Sequence, residues 1–259
     1  MQVDQVRLGD INTLFVNSVG ATASTVQIWF RAGSALEGHE NQGIAHYLEH
    51  MFFKGTPTRP GAAIAQEVES FGGEINAFTS FDYTCYYINA PSNKTGQALE
   101  ILMDMVTNPM FKGEDFPSER DVVFEEYRRA LDNPSQYHFM QLQKNCFEGG
   151  YQHPILGRED TIKSFSPEQL KDFRNRYYNL QNSMVVVAGD LNDREPLEKI
   201  IAKVRLPDGQ SSAFGKFSLP TKPKIDVHAK PIRQATLTMA MSAHEYTDPA
   251  ASAEDLGIN

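Results

Sequence analysis

Residues 41–53 read Asn41-Gln42-Gly43-Ile44-Ala45-His46-Tyr47-Leu48-Glu49-His50-Met51-Phe52-Phe53. Apolar residues at 44, 45, 48, 51 and 52 recur at helical spacing, and Gly55 followed by Pro57 stops the helix. Positions i, i+3 and i+4 share a helix face, so this short amphipathic segment carries His46, Glu49 and His50 along one edge of its apolar face. Two imidazoles one turn apart can reach a single ion. Zinc takes imidazole nitrogen well, and a catalytic zinc keeps one position open for water. A carboxylate beside the second imidazole can accept the proton that such a metal acidifies. The order His-x-x-Glu-His inverts the commoner zinc-peptidase signature. The competing interpretation is a surface helix bearing two unrelated histidines.

A catalytic zinc needs a third protein ligand. The best region for it is Glu119–Leu131, a predicted helix with Pro117 near its start and Asn133-Pro134 beyond its end. Apolar positions 122, 123, 127, 130 and 131 mark its buried face. Glu119 and Glu126 lie two turns apart on one face, and Glu126 borders the buried side while Glu125 points further round. A carboxylate at the edge of a buried face needs a partner, which a metal would supply. The residues alone leave equally open that Glu125 and Glu126 pair with Arg128 and Arg129 on a solvated face.

Beyond these helices, Phe30–Glu37, Gly43–Thr56, Phe71–Thr84, the Glu119/Glu126 pair and Asn182–Asp190 follow in an order that resembles the first, metal-binding domain of the pitrilysin-type zinc metallopeptidases. The chain is similar to the beta-type mitochondrial processing peptidase and bacterial relatives. The resemblance covers nearly the whole chain and implies roles. His46, His50 and Glu126 would bind one Zn²⁺ per chain, Glu49 would be the general base, and Glu119 would support catalysis by orienting a ligand. Asn76 and Ala77 would hold the substrate backbone on a strand, Glu74–Ala77, to which a peptide adds at the sheet edge. For Asn76 the plain alternative is turn chemistry after Gly72-Gly73.

The family carries two homologous domains, in one chain or split between subunits. Here the expected division is a zinc-binding domain at 1–208, a polar linker at 209–232, and the truncated start of a second domain at 233–259. In the family the second domain supplies an Arg and a Tyr that grip the substrate carbonyl, and nothing after residue 233 offers that pair. Donors to a developing oxyanion are often the largest catalytic contribution. Two functions therefore stand: a zinc endopeptidase acting on peptides or unfolded polypeptide, or a zinc-bearing, inactive or partner-dependent subunit that binds peptides, a second-domain partner or its own copy.

The 259 residues carry a net charge of −9 with 41% hydrophobic content. That suits a globular chain and argues against nucleic acid as a partner, since no basic patch meets phosphate. No apolar run is long enough to span a bilayer. The N-terminus lacks the basic-then-apolar order of a signal peptide, which makes a bacterial cytoplasmic location the simplest expectation. Cys85 and Cys146 are too few for a disulfide framework. Strands are expected at 12–17, 24–31, 74–89, 183–189 and 235–242, and helices at 42–53, 61–71, 95–106, 118–131, 135–147, 167–178 and 193–204. The pair at 12–31 and the long crossovers predict an α+β fold, a mostly antiparallel sheet packed against helices. His39 and His153 are expected in loops, and His138, His228 and His244 have no ligand spacing.

Overall fold

Period-two alternation of apolar residues builds the strands of the computed structural model, which describes residues 1–214, 225–229, 233 and 235–240. They are β1 (Gln2–Leu8), β2 (Ile11–Asn17), β3 (Ala23–Phe30), β4 (Glu74–Thr79), β5 (Thr84–Pro91) and β6 (Ser183–Gly189). They form one sheet in the order β1-β2-β6-β3-β5-β4, antiparallel throughout except for the parallel pair β2–β6. The helices are α1 (Ile44–Phe52), α2 (Ala63–Ser70), α3 (Thr95–Thr107), α4 (Phe116–Asp132), α5 (Pro134–Cys146), α6 (Glu159–Ser164), α7 (Pro167–Tyr177) and α8 (Glu195–Lys203). This is the expected α+β class.

The differences from expectation are long-range effects. β2 and β3 do not pair with each other, because β6 lies between them. Met184-Val185-Val186-Val187-Ala188 is apolar throughout, and the central slot leaves none of β6 exposed. The stretch 74–89 is not one strand but the hairpin β4–β5. Its turn carries no Gly or Pro; it closes through Ser80 N–H to Tyr83 C=O and is braced by the Tyr151 hydroxyl on Asp82. Val122 is 47% exposed and not part of the buried face, which Val123 and Ala130 form. Residues 235–240 make no strand, and Leu237 and Met239 are exposed. Positions 241 and 242 lie outside the described residues. β1 and α6 carry too few apolar residues to have been foreseen. Within the expected linker, Ser212 donates its amide to Asn182 Oδ1, so that stretch begins docked on the domain.

Helix α1 is fixed from several sides. Ile44, Ala45, Tyr47, Leu48, Met51 and Phe52 are buried, each large side chain contributing roughly 1.5–3 kcal/mol. Tyr47 donates its hydroxyl to the Phe116 carbonyl at 2.9 Å, tying α1 to the start of α4. Gly43, at φ +91°, lets the chain enter the helix while pressed against Gly157, itself at φ +79°; a Cβ on either would lie within 2.8 Å of the other's loop. The first amides of a helix lack internal partners. Here the buried Glu37 carboxylate accepts the N–H groups of Gly43 and Ala45 at 2.7 and 2.9 Å, one on each oxygen. Replacing Glu37 with Ala should cost about 2 kcal/mol by urea unfolding, since two buried amides lose their acceptor. Burial outweighs these two bonds and pushes the Glu37 carboxyl up to about 8, so the cap does not rest on a full charge. A loss below about 0.5 kcal/mol would show that the cap is not a stabilising contact.

Candidate metal centre

The sequence places His46 and His50 on the same face of α1, and α4 crosses that face. The imidazole Nε2 atoms lie 3.3 Å apart, and Glu126 Oε2 lies 3.5 Å from each. Among the described residues these three form the one group of His, Cys, Asp and Glu side chains able to share an ion. Donors around a tetrahedral zinc at its usual bond lengths stand about 3.3 Å apart. The triangle of donors therefore fits that ion, both in spacing and in its two-nitrogen, one-carboxylate chemistry. Of the alternative in which Glu125 and Glu126 both pair with arginines, the structure shows one half: Glu125 pairs with Arg128 on the exposed side of α4, whereas Glu126 faces the imidazoles.

Glu119 sits behind His50. Its Oε1 takes the Nδ1–H of His50 at 2.7 Å, which leaves Nε2 to face the triangle. Its Oε2 meets the Lys54 ammonium. Although Glu119 is only 4% exposed, His50 and Lys54 overcome the cost of burial and hold its carboxyl below the usual range. The two histidines differ. Burial lowers His50, but hydrogen bonds to Glu119 and Glu126 outweigh it and leave the ring raised to about 9. Burial and the neighbouring His50 push His46 down to about 4. His46 Nδ1 is buried with no hydrogen-bond partner among the described residues.

Glu49 is nearly buried, on the same helix. Burial raises its carboxyl, opposed by the hydroxyl of Thr79, which donates to Oε2. Thr79 belongs to β4, an edge strand of the sheet. His46, Glu49, His50, Lys54 and Asn76 line one open cleft of about 370 Å³. Of the expected substrate-holding pair on this edge strand, Asn76 lines the cleft and Ala77 does not; Asn76 Oδ1 accepts the Ala77 amide at 2.8 Å. Lys54, Thr79 and Glu37 were missed as supporting residues, since none bears a spacing signal to the residue it touches.

The other histidines stay apart. His39 pairs with Arg158 and Glu40, His228 pairs with Asp226, and His244 lies outside the described residues. Both cysteines are free, and Cys85 is buried. No helix among the described residues is long and apolar enough to cross a membrane.

Known proteins resemble this chain in sequence and fold. The Bacillus subtilis protein named as an uncharacterised zinc protease, YmxG, is 34% identical over 83% of this chain and 51% of its own length. The beta subunit of the mitochondrial-processing peptidase of Dictyostelium discoideum is 34% identical over 70% of this chain and 39% of its own. The crystal structure of a protease from Helicobacter pylori superposes with a TM-score of 0.75 at 28% identity, covering 84% of this chain and 54% of that one. The chain spans about half the length of the curated relatives it matches. Residues 13–159 match the profile of the family described as insulinase, peptidase family M16, and the chain belongs to that family.

Proposed function

We propose that this chain is the metal-bearing part of a zinc-dependent endopeptidase. The observation that carries this is the convergence of His46, His50 and Glu126 at 3.3–3.5 Å, with Glu49 beside them and the edge strand β4 along the cleft. His46, His50 and Glu126 would hold the ion. Bound there, zinc supplies Lewis acidity toward a carbonyl and toward water. Glu119 keeps His50 oriented and its Nδ1 protonated. A peptide adds along β4, with Asn76 and Ala77 meeting its backbone. Glu49 takes a proton from the attacking water and returns it to the leaving amine nitrogen. Elemental analysis should find one zinc per chain, and a chelator should stop cleavage of an unfolded polypeptide. A purified chain that takes up no zinc would overturn the reading.

A second reading is favoured by the length of the relatives, about twice that of the matched region. Residues 1–208 would be the metal-bearing unit, 209–232 a linker, and 233–259 the start of a second unit that a partner completes. Carbonyl-gripping groups would come from that second unit, and residues 1–259 alone would bind zinc and peptide without turnover. Adding the separately produced second half of a full-length relative such as YmxG should then raise cleavage at least about 100-fold, the value of one oxyanion donor. Equal rates with and without it would favour the self-sufficient enzyme.

A further inference from the structure

Three carboxylates, Glu49, Glu119 and Glu126, crowd around two imidazoles in the cleft. Among the described residues the ion pairs within this cluster join the carboxylates to the two imidazoles and to one ammonium, Lys54, which sits on Glu119. Its backbone is held by contacts outside the cluster. The Lys54 amide donates to the Met51 carbonyl and its own carbonyl accepts the Gly61 amide, both at 3.2 Å. Just beyond it, Thr56, Thr58 and Arg59 converge on Asp104 Oδ2 at 2.7, 2.8 and 2.7 Å, pinning the loop to α3. Arg59 is also held by Glu67 at 2.8 Å. The ammonium is therefore delivered to Glu119 from a loop already fixed by other contacts.

Resting on the metal reading above, we propose that Lys54 is a built-in cationic placeholder. It holds α1 and α4 together through Glu119 when no metal is present, and it weakens metal binding by its own charge. Like-signed charges at short range repel, and more so away from bulk water. A divalent ion adds two positive charges to a cluster of three carboxylates, so with Lys54 the assembly is neutral. Without either cation the three carboxylates are left with the imidazoles alone, and Glu119 keeps a buried charge with one partner fewer. Lys54 and the metal thus stabilise the same arrangement, and each is worth less when the other is present.

The test compares the wild-type chain with Lys54→Met, Lys54→Gln and Lys54→Arg, stripped by chelator and then titrated with zinc alone. Melting of the stripped Lys54→Met chain should fall by about 5 °C, and that of the zinc-loaded chain by less than half as much. Zinc should bind Lys54→Met roughly 3–10-fold more tightly in competition with a chromophoric chelator. Lys54→Gln should show the same signs in smaller steps, and Lys54→Arg should match wild type. A stripped Lys54→Met chain that folds only when zinc is added supports the proposal as well. Equal melting losses in both states, or unchanged or weaker zinc binding, would overturn it; weaker binding would make Lys54 an aligner of His50 instead. If Lys54→Met folds in neither state, Lys54→Gln decides by the same criteria. Zinc that leaves wild-type melting unmoved overturns the metal centre itself, and this inference with it.

Discussion

Glu49→Gln should reduce peptide cleavage by about 1,000-fold while leaving zinc content and melting temperature within error of wild type. Glutamine keeps the shape of the side chain and still offers an oxygen to the Thr79 hydroxyl. What it loses is the capacity to take a proton. Burial already raises the Glu49 carboxyl against the lowering effect of Thr79, so exchanging a disfavoured charge for a neutral amide carries little stability cost. The same upward shift sets the sign of the pH dependence. A base works only when ionised, so cleavage should fall as pH drops through the raised Glu49 pKa, at a higher pH than for an ordinary glutamate. The measurement is kcat/KM on an unfolded polypeptide, with metal analysis on the same samples. If the variant retains more than a tenth of wild-type cleavage, Glu49 is not the base.

Residues whose relations are local were readable in advance, and those whose relations are long-range were not. His46, Glu49 and His50 sit within five positions, and helix geometry alone puts them on one face. The capping box of α7 is local in the same way: the Ser166 side chain accepts the Gln169 amide and the Gln169 side chain accepts the Ser166 amide. By contrast, β6 enters the sheet between β2 and β3 from more than 150 residues away, on the strength of its apolar run and not of any turn. The hairpin turn at 80–83 is braced by Tyr151 from another part of the chain, so it carries no Gly or Pro to announce it. Lys54 and Glu119 are 65 positions apart, and their contact follows from how α1 and α4 cross. Val122 illustrates the limit within a helix: one position of phase decides exposure, and the packing of α4 sets that phase.

Glu125 and Glu126 offer the sharpest separation of a ligand from its neighbour. Glu126→Ala should abolish measurable zinc binding at micromolar metal, a larger loss than the roughly 10–100-fold typical of removing a group that only supports a ligand. Glu119→Gln should fall within that smaller range, because the amide still offers an oxygen to His50 Nδ1 but loses the charge. Glu125→Ala should leave zinc affinity unchanged: its partner Arg128 is exposed, and such pairs contribute about 0–1 kcal/mol to stability. Binding stabilises the fold by an amount that grows with the ratio of free metal to Kd, so the zinc-induced rise in melting temperature should vanish in Glu126→Ala, shrink in Glu119→Gln and persist in Glu125→Ala. This ordering follows from position alone, since all three carboxylates lie on α4 within eight residues. Wild-type zinc affinity in Glu126→Ala would remove α4 from the metal centre and leave only the two histidines of α1. Loss of zinc in Glu125→Ala would mean that the helix presents its other glutamate.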